Sequence, residues 1–334
     1  MEILNIPILV MLIAATVYIS QIITPPQKLR LEFLSLDYTT AIKGIAMLII
    51  MLGHCSGHYV GGRLLTPCGG IGVSLFLIAS GYGLNESFLK HRLADFWKKR
   101  ILRVWMPYAL ITLIAVPFCW VSWSDFWQQI VCVRCLYWFV PYVLGWYVGF
   151  WFLSKWFPKF RLSIMYALGI STLFWMSELQ AEQALGFATG VVMSEHKTWF
   201  RSIMHVKKLV VTIALGFFLF GCCFLILKQI PMIREWAGTW VFNLCQTLVK
   251  FPLSMAIVVG MNLSPRTVRN PLLIFTGTIA YELYLVHFRF YTLIGGKLWP
   301  AIVLFVGAFL VSWIFHTLII KINNAILWGD KNRS

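Results

Sequence analysis

The stretch Lys43-Gly44-Ile45-Ala46-Met47-Leu48-Ile49-Ile50-Met51-Leu52-Gly53-His54 places a lysine and a histidine in an otherwise apolar run. His54 follows Lys43 by eleven positions, so in a helix both side chains share one face, about 16 Å apart along the axis. Ionisable groups at membrane depth are costly and indicate a functional site, although a bundle histidine and a snorkelling lysine would also fit. Because histidine is readily tuned as a base near neutral pH, the stretch predicts a membrane helix with a catalytic His54.

Composition places the whole chain in a membrane. Of its 334 residues, 60% are hydrophobic and only 12% are charged, and the mean hydropathy is +0.79. Soluble domains carry about 25% charged residues. Apolar segments of roughly membrane-spanning length recur from end to end. They lie near residues 5–24, 38–58, 68–88, 102–122, 135–154, 161–178, 180–195, 208–228, 238–261, 271–292 and 298–320, and the one at 180–195 is short. We therefore expect an all-α polytopic membrane protein with ten to eleven transmembrane helices in one bundle.

The basic residues alternate in density along the chain. The net charge is +16, which would suit nucleic acid, but 20 of the 28 basic residues fall in alternate connections and only 5 in the opposite set. This is the positive-inside pattern. It predicts an N-terminus outside, a cytoplasmic C-terminus, a basic face at the lipid headgroups and no nucleic-acid partner.

Three further segments carry candidate site residues. In residues 69–82, small residues typical of helix packing precede Ser80 and Tyr82, which could donate hydrogen bonds. In residues 96–108, Lys99 precedes Arg100 and Arg103, whose i, i+3 spacing on one helix face suits phosphates, although a topology signal explains the charges equally well.

The third segment, residues 277–289, contains an acid, a base and a tyrosine. Glu282 and Arg289 are two helical turns apart and could form a structural ion pair. Tyr284 and His287, at i, i+3, form a polar patch that could take part in acid–base chemistry.

The eight cysteines do not form a disulfide framework. Most lie in apolar spans, where a small apolar residue is the simplest interpretation. Cys132 and Cys135 fall on the expected outer side, where a disulfide or two free thiols are both compatible with the sequence. No metal site is expected, because no second Cys or His pair accompanies them.

These segments, in this order, resemble the acyltransferase-3 family of integral membrane O-acyltransferases, from about Leu36 to Ile320. The Lys43–His54 spacing is similar to the family's Arg, ten residues, then His. The other matching stretches are Gly72-Val73-Ser74-Leu75-Phe76, Lys99-Arg100-Ile101-Leu102-Arg103, Leu136-Tyr137-Trp138-Phe139-Val140-Pro141 and Ala280-Tyr281-Glu282-Leu283-Tyr284-Leu285-Val286-His287. The chain departs from the family pattern in having Lys43 at the Arg position and an extra N-terminal helix.

The resemblance implies a domain plan: an extra transmembrane helix and linker in 1–36, a membrane acyltransferase domain in 37–328 and a cytoplasmic tail in 329–334. It also implies transfer of an acyl group, usually acetyl, from acetyl-CoA to a carbohydrate or glycolipid hydroxyl at a bacterial cytoplasmic membrane. The partners would be lipid, acyl-CoA and that acceptor, and a homo-oligomer stays open.

The resemblance assigns roles to individual residues. Lys99, Arg100 and Arg103 would hold the CoA phosphates, and Lys43 would line the donor path. His54 would be the general base or a transient acyl carrier. Candidate oxyanion or substrate contacts are Ser80, Tyr82, Tyr284, Glu282 and His287.

Two other readings fit the same residues. Buried Lys, His and Glu also serve proton relays, so a transporter or exporter of a small organic acid or glycolipid is an alternative. The lysine at position 43 cannot make the planar bidentate contact of arginine. A catalytically inactive relative is therefore the third reading.

Overall fold

The computed structural model describes residues 5–23, 32–58, 62–290 and 298–331. Within these residues every regular element is a helix, which confirms the all-α prediction. Residues 24–31 of the predicted N-terminal linker and 332–334 of the predicted tail lie outside the described residues.

Eighteen α-helices are seen in the described part of the chain. The first nine are α1 Asn5–Ile23, α2 Leu36–Cys55, α3 Thr66–His91, α4 Phe96–Arg100, α5 Met106–Ala115, α6 Trp123–Ile130, α7 Phe139–Trp156, α8 Arg161–Trp175 and α9 Glu178–Ala181. The others are α10 Gly186–Glu195, α11 Lys197–Met204, α12 Lys207–Leu227, α13 Pro231–Arg234, α14 Trp240–Gly260, α15 Pro265–Val268, α16 Pro271–Thr278, α17 Ala280–Phe290 and α18 Leu298–Lys331. A π-helix occupies Ile101–Trp105, and 3-10 turns occupy Ser56–His58, Gly62–Leu65 and Met261–Leu263.

Within the described ranges, six helical stretches are long and apolar enough to cross a membrane, or seven if α16 and α17 together make one bent span. The six are Asn5–Ile23, Leu36–Cys55, Gly62–His91, Lys207–Leu227, Trp240–Leu263 and Leu298–Ile326. Other apolar segments form shorter helices, such as α8 with 15 residues and α10 with 10. The larger count of ten to eleven spans and the orientation of the termini stay predictions.

Helix α2 lies at the centre of the bundle. It packs against α3 on one side and against α16 and α17 on the other, and α3 packs in turn on α10 and α14. In the most apolar 18 residues of α2 and of α14, 61% of the residues are buried inside the protein, whereas in α1 and α12 the share is 11%. The first pair therefore forms the core, and the second pair presents its apolar side chains to the surroundings.

Glycines allow these central helices to approach closely. A Cβ on Gly277 of α16 would overlap the Thr40 carbonyl of α2, and one on Gly44 of α2 would overlap the Leu273 carbonyl of α16. At the α3–α10 contact, Gly81 meets the Phe187 carbonyl in the same way. The small residues of segment 69–82 thus serve packing, as their composition favours.

A buried ion pair ties α14 to the segment between α9 and α10. Lys250 Nζ lies 2.9 Å from Glu182 Oε2, and both side chains are only about 5–6% exposed. The same ammonium donates to Gln246, which also accepts from Lys228 at 2.9 Å. A charge pair buried this deeply holds the two elements together, because separating the partners would leave each charge buried without compensation.

Helix α1 is attached to the start of α16. The Asn270 side chain caps α16 by accepting from the Leu272 and Leu273 backbone amides, and its Nδ2 donates to the Val17 carbonyl at 2.7 Å. Asn270 is fully buried in this position. The extra N-terminal helix is therefore fixed to the bundle by a specific polar contact as well as by packing.

Candidate functional site

A cavity of about 390 Å³ opens between α2, α3, the π-helix, α7 and α17. Three cations line it: Lys43 from α2, Arg100 from the end of α4 and Arg103 from the π-helix. None of its described lining residues is acidic. Excess positive charge around an enclosed volume favours an anionic ligand.

The π-helix explains how Arg103 reaches the cavity. Pro107 has no backbone N–H, so it cannot donate to the Arg103 carbonyl four residues earlier. The chain widens instead, and the Met106 amide donates to the Ile101 carbonyl, five residues back. Such π segments shift the side chains that follow and are frequent at functional sites. Arg100 precedes this π-helix and Arg103 lies within it, and both line the cavity.

Ser80 and Tyr284 line the same cavity. The structure thereby joins residues from all four predicted segments, although Lys43 and Tyr284 are far apart in sequence. Their neighbour Glu282 does not line the cavity, but its charge and that of Arg103 both act on Lys43. The cavity therefore combines cations with hydroxyl donors.

Tyr147 is a cavity residue that sequence reasoning missed. It lines the cavity together with Ser80 and Arg100, and the Arg100 guanidinium lies 5.4 Å from the centre of its ring. The available signal was the spacing of Phe139, Val143 and Tyr147, which occupy one helix face and all line the cavity. Because most neighbouring residues of α7 are also aromatic or aliphatic, the sequence does not distinguish this face from the others.

His54 lies beyond the cavity, beside His287. Their ring centroids are 5.2 Å apart, and the Phe288 ring lies 6.0 Å from His54. The Tyr284 ring, which lines the cavity, is 5.9 Å from His287. Tyr284, His287 and His54 therefore form a continuous row from the cavity towards the other end of α2.

His287 is held in one tautomer. Its Nδ1 lies 2.9 Å from the Leu283 carbonyl, which can only accept, so Nδ1 carries the proton. Its Nε2 is buried and has no partner among the described residues. In the neutral ring this nitrogen is an acceptor that a substrate hydroxyl or a water could use.

A bend of 79° between α16 and α17 positions this row. Helix α16 ends against Thr40 of α2, and the chain then turns so that α17 also contacts α2. Tyr281 and Tyr284 point to the cavity and His287 to His54. Tyr281 is anchored because its hydroxyl donates to the Val104 carbonyl at 2.7 Å.

Four further predicted residues lie outside the cavity lining. The Glu282 carboxylate accepts from His316 Nδ1 of α18 at 3.0 Å, while Arg289 donates its Nε to the Tyr137 hydroxyl, so the expected Glu282–Arg289 pair is replaced by these two contacts. Tyr82 is buried, and its backbone lies against Gly190 of α10. Lys99 is half-buried, with its Nζ 3.4 Å from the Ala94 carbonyl.

Cys132 and Cys135 are free thiols in the structure. Burial, together with the neighbouring Cys135 thiol, raises the pKa of the Cys132 thiol to about 11. Cys135 also lies 3.3 Å from the Tyr108 hydroxyl. Among the described residues, no group of three His, Cys, Asp or Glu side chains could hold a metal ion.

Comparison with known families gives one result. Residues 33–318 match the model of the acyltransferase domain that defines the acyltransferase-3 family. The match covers α2 to most of α18, and α1 precedes it. Comparisons with curated proteins and with solved structures found no match.

Proposed function

The chain belongs to the acyltransferase-3 family, and on that premise we propose that it moves an acetyl group from cytoplasmic acetyl-CoA to a glycan hydroxyl. The acceptor would be a surface polysaccharide or glycolipid, and the membrane a bacterial cytoplasmic membrane. The family supports an O-acyltransferase in general. The choice of acetyl, of CoA and of the acceptor is our proposal.

The observation that carries this proposal is the cationic cavity. Lys43, Arg100 and Arg103 line about 390 Å³ with no described acidic neighbour on the wall. A volume of this size is typical of a small-molecule site. Arginine forks bind phosphate oxygens in pairs, so Arg100 and Arg103 suit the CoA diphosphate. Lys99 would add charge outside the cavity.

The reaction needs a base and an oxyanion donor. His54 would take the proton from the acceptor hydroxyl as its oxygen attacks the thioester carbonyl carbon. A new C–O bond forms, the C–S bond breaks, and CoA leaves as a thiolate that takes up a proton. Tyr284, which lines the cavity and packs against His287 beside His54, would donate a hydrogen bond to the oxyanion between these steps. Ser80 and the Lys43 ammonium would contact the donor further inside the cavity.

The donor and acceptor would reach the site from opposite faces of the membrane. The cations of the cavity lie towards the end of α2 that contains Lys43, while His54 lies about 16 Å further along the helix. The row of Tyr284, His287 and His54 connects the two ends. The acyl group would travel along this row while still attached to the CoA sulfur. At His54 it would pass directly to the acceptor hydroxyl, or first to the His54 ring as an acyl-histidine, with CoA thiol leaving in either case.

The test uses the full chain in nanodiscs with acetyl-radiolabelled acetyl-CoA. The Arg100→Gln/Arg103→Gln variant should lose CoA-competed binding, and His54→Ala should keep binding but lose transfer to added glycan. Label retained by the wild type but not by His54→Ala would favour the acyl-histidine route. The matched control is Lys90→Gln/Lys159→Gln, which removes two exposed cations that do not line the cavity.

Each alternative function predicts a different result. A folded wild type that binds no acetyl-CoA would overturn the proposal and favour a transporter. Binding without transfer, followed by activity in Lys43→Arg, would identify an inactive relative. His54→Ala acting at the wild-type rate would remove His54 from the mechanism.

A further inference from the structure

A second cationic pocket is lined by residues to which the reaction steps described above assign no role. It has a volume of about 560 Å³ and is bounded by the end of α3, the end of α7 and the start of α8. Its cations are Arg92, Lys155 and Arg161, and none of its described lining residues is acidic.

The cations of this pocket are crowded. The Arg92 and Arg161 guanidiniums lie 5.6 Å and 4.9 Å from the centre of the same Phe88 ring. The Lys155 ammonium rests 4.6 Å from the Trp156 ring centre. Like charges gathered in this way repel one another, and a bound anion would relieve that repulsion.

Arg161 is the buried cation of this pocket, and hydrogen bonds hold it in place. It is only 6% exposed, and its two terminal nitrogens donate to Ser154, to Asn85 and to the Glu195 carboxylate. Its Nε is buried with no partner in the described part of the chain. Glu195 offsets one positive charge, so Arg92 and Lys155 stay uncompensated at the pocket, and one buried donor is left for a ligand.

An aromatic wall separates the two cation sites. Phe96 stacks on Phe150 at 6.3 Å, and Phe150 lies 5.6 Å from Phe88. The Arg100 guanidinium lies 5.7 Å from the centre of the Phe96 ring, and that of Arg161 lies 4.8 Å from the centre of the Phe150 ring. One pair of stacked rings therefore links a cation of the first cavity to a cation of the second pocket.

We propose that this second pocket binds a phosphate monoester, namely the ribose 3′-phosphate of the CoA donor. The inference rests on the proposed function, because it takes acyl-CoA as the ligand of the first cavity. Arg100 and Arg103 would hold the diphosphate, and Arg92, Lys155 and the Arg161 Nε would hold the 3′-phosphate. The nucleotide would then lie beside Phe88, Phe96 and Phe150, the rings between the two cation sites.

The experiment compares CoA with dephospho-CoA, which lacks only the 3′-phosphate, on the full chain in zwitterionic nanodiscs. Arg92→Gln/Lys155→Gln should raise the Kd for CoA about tenfold or more and leave that for dephospho-CoA unchanged. Arg100→Gln/Arg103→Gln should weaken both ligands. Lys90→Gln/Lys159→Gln changes exposed cations of the same two segments outside the pocket, and should alter neither.

Two outcomes would overturn the inference. In the first, the wild type binds CoA and dephospho-CoA equally and Arg92→Gln/Lys155→Gln changes neither, which leaves the proposed function intact. In the second, that variant binds CoA normally but loses copurifying phosphatidylglycerol, which would identify a lipid headgroup as the phosphate source. A wild type that binds no CoA would instead remove the proposed function and this inference together.

Discussion

Lys43 contributes its charge to a cavity that already contains two arginines. We expect Lys43→Met to weaken acetyl-CoA binding about tenfold, because a charge-assisted hydrogen bond is worth roughly 1.5–3 kcal/mol. Lys43→Arg keeps the charge and should bind as the wild type does. Equilibrium binding in nanodiscs measures both, with Lys90→Met as the exposed-lysine control. Undiminished binding in Lys43→Met would contradict this role.

Tyr147 should contribute through its hydroxyl alone. Tyr147→Phe keeps the ring beside Arg100 and removes only the hydroxyl from the cavity lining. Loss of a hydrogen-bonding group there should weaken donor binding about two- to tenfold, with no change in thermal stability beyond that of its control. The control is Tyr142→Phe on the same helix, which lies outside the cavity lining. Equal effects of the two variants would exclude a binding role for Tyr147.

At the level of residues, the sequence predicted which side chains share one helix better than it predicted which side chains of different helices are in contact. The spacing of Lys43 and His54 follows from helix geometry alone, so it was predictable. The contact of His54 with His287, and the partnership of Glu282 with His316, depend on the bend between α16 and α17. Spacing within one segment carries no information about such contacts between distant segments.

At the level of elements, the contact between α2 and α16 depends on glycine. A Cβ at Gly277 would overlap the Thr40 carbonyl, so Gly277→Ala should destabilise the protein by about 1–3 kcal/mol. Gly216→Ala, in α12 with nothing near the added methyl, should be neutral or slightly stabilising because alanine favours helix. Thermal unfolding in one detergent compares the pair, and equal midpoints would contradict close packing at Gly277.

The long apolar helices were well predicted, and the interrupted ones were not. The expected spans at 208–228 and 238–261 correspond to α12 and α14, and all four ends agree within two residues. The expected span at 271–292 is instead two helices bent by 79°, and that at 102–122 is a π-helix followed by α5. Hydropathy reports burial in lipid, and it is blind to where a helix changes direction.

At the level of the whole molecule, variants of the Glu182–Lys250 ion pair measure how much a buried charge pair contributes to the stability of the bundle. Lys250→Met leaves a buried carboxylate without its partner, which should cost about 3–5 kcal/mol of stability. Glu182→Gln/Lys250→Met removes both charges and should recover most of that loss. The unfolding midpoints of the two variants, measured in one detergent, give their stabilities. A double variant as unstable as Lys250→Met would contradict the claim that the unpaired carboxylate causes the loss.

Lys228 makes the stability of this region depend on pH. Burial and the nearby Lys250 charge lower the pKa of Lys228 to about 8, from 10.5 for a free side chain. The folded protein then releases this proton before the unfolded chain does, so the group's contribution to stability rises from pH 8 to pH 10. The unfolding midpoint of the wild type, relative to Lys228→Met, should rise between pH 7.5 and 9.5. A constant or falling difference would contradict the lowered pKa.

The attachment of α1 to α16 has a consequence for how the chain is made. The Asn270–Val17 hydrogen bond joins residues 253 positions apart, so at about 5–20 residues per second the first helix waits roughly 13–50 s for its partner. During that interval α1 lacks its polar anchor, and the described residues offer it apolar contacts such as those of the cluster that Ile6 and Leu9 share with Leu52 and Cys55 of α2. Attachment of α1 to the bundle is therefore completed only after most of the bundle has been made.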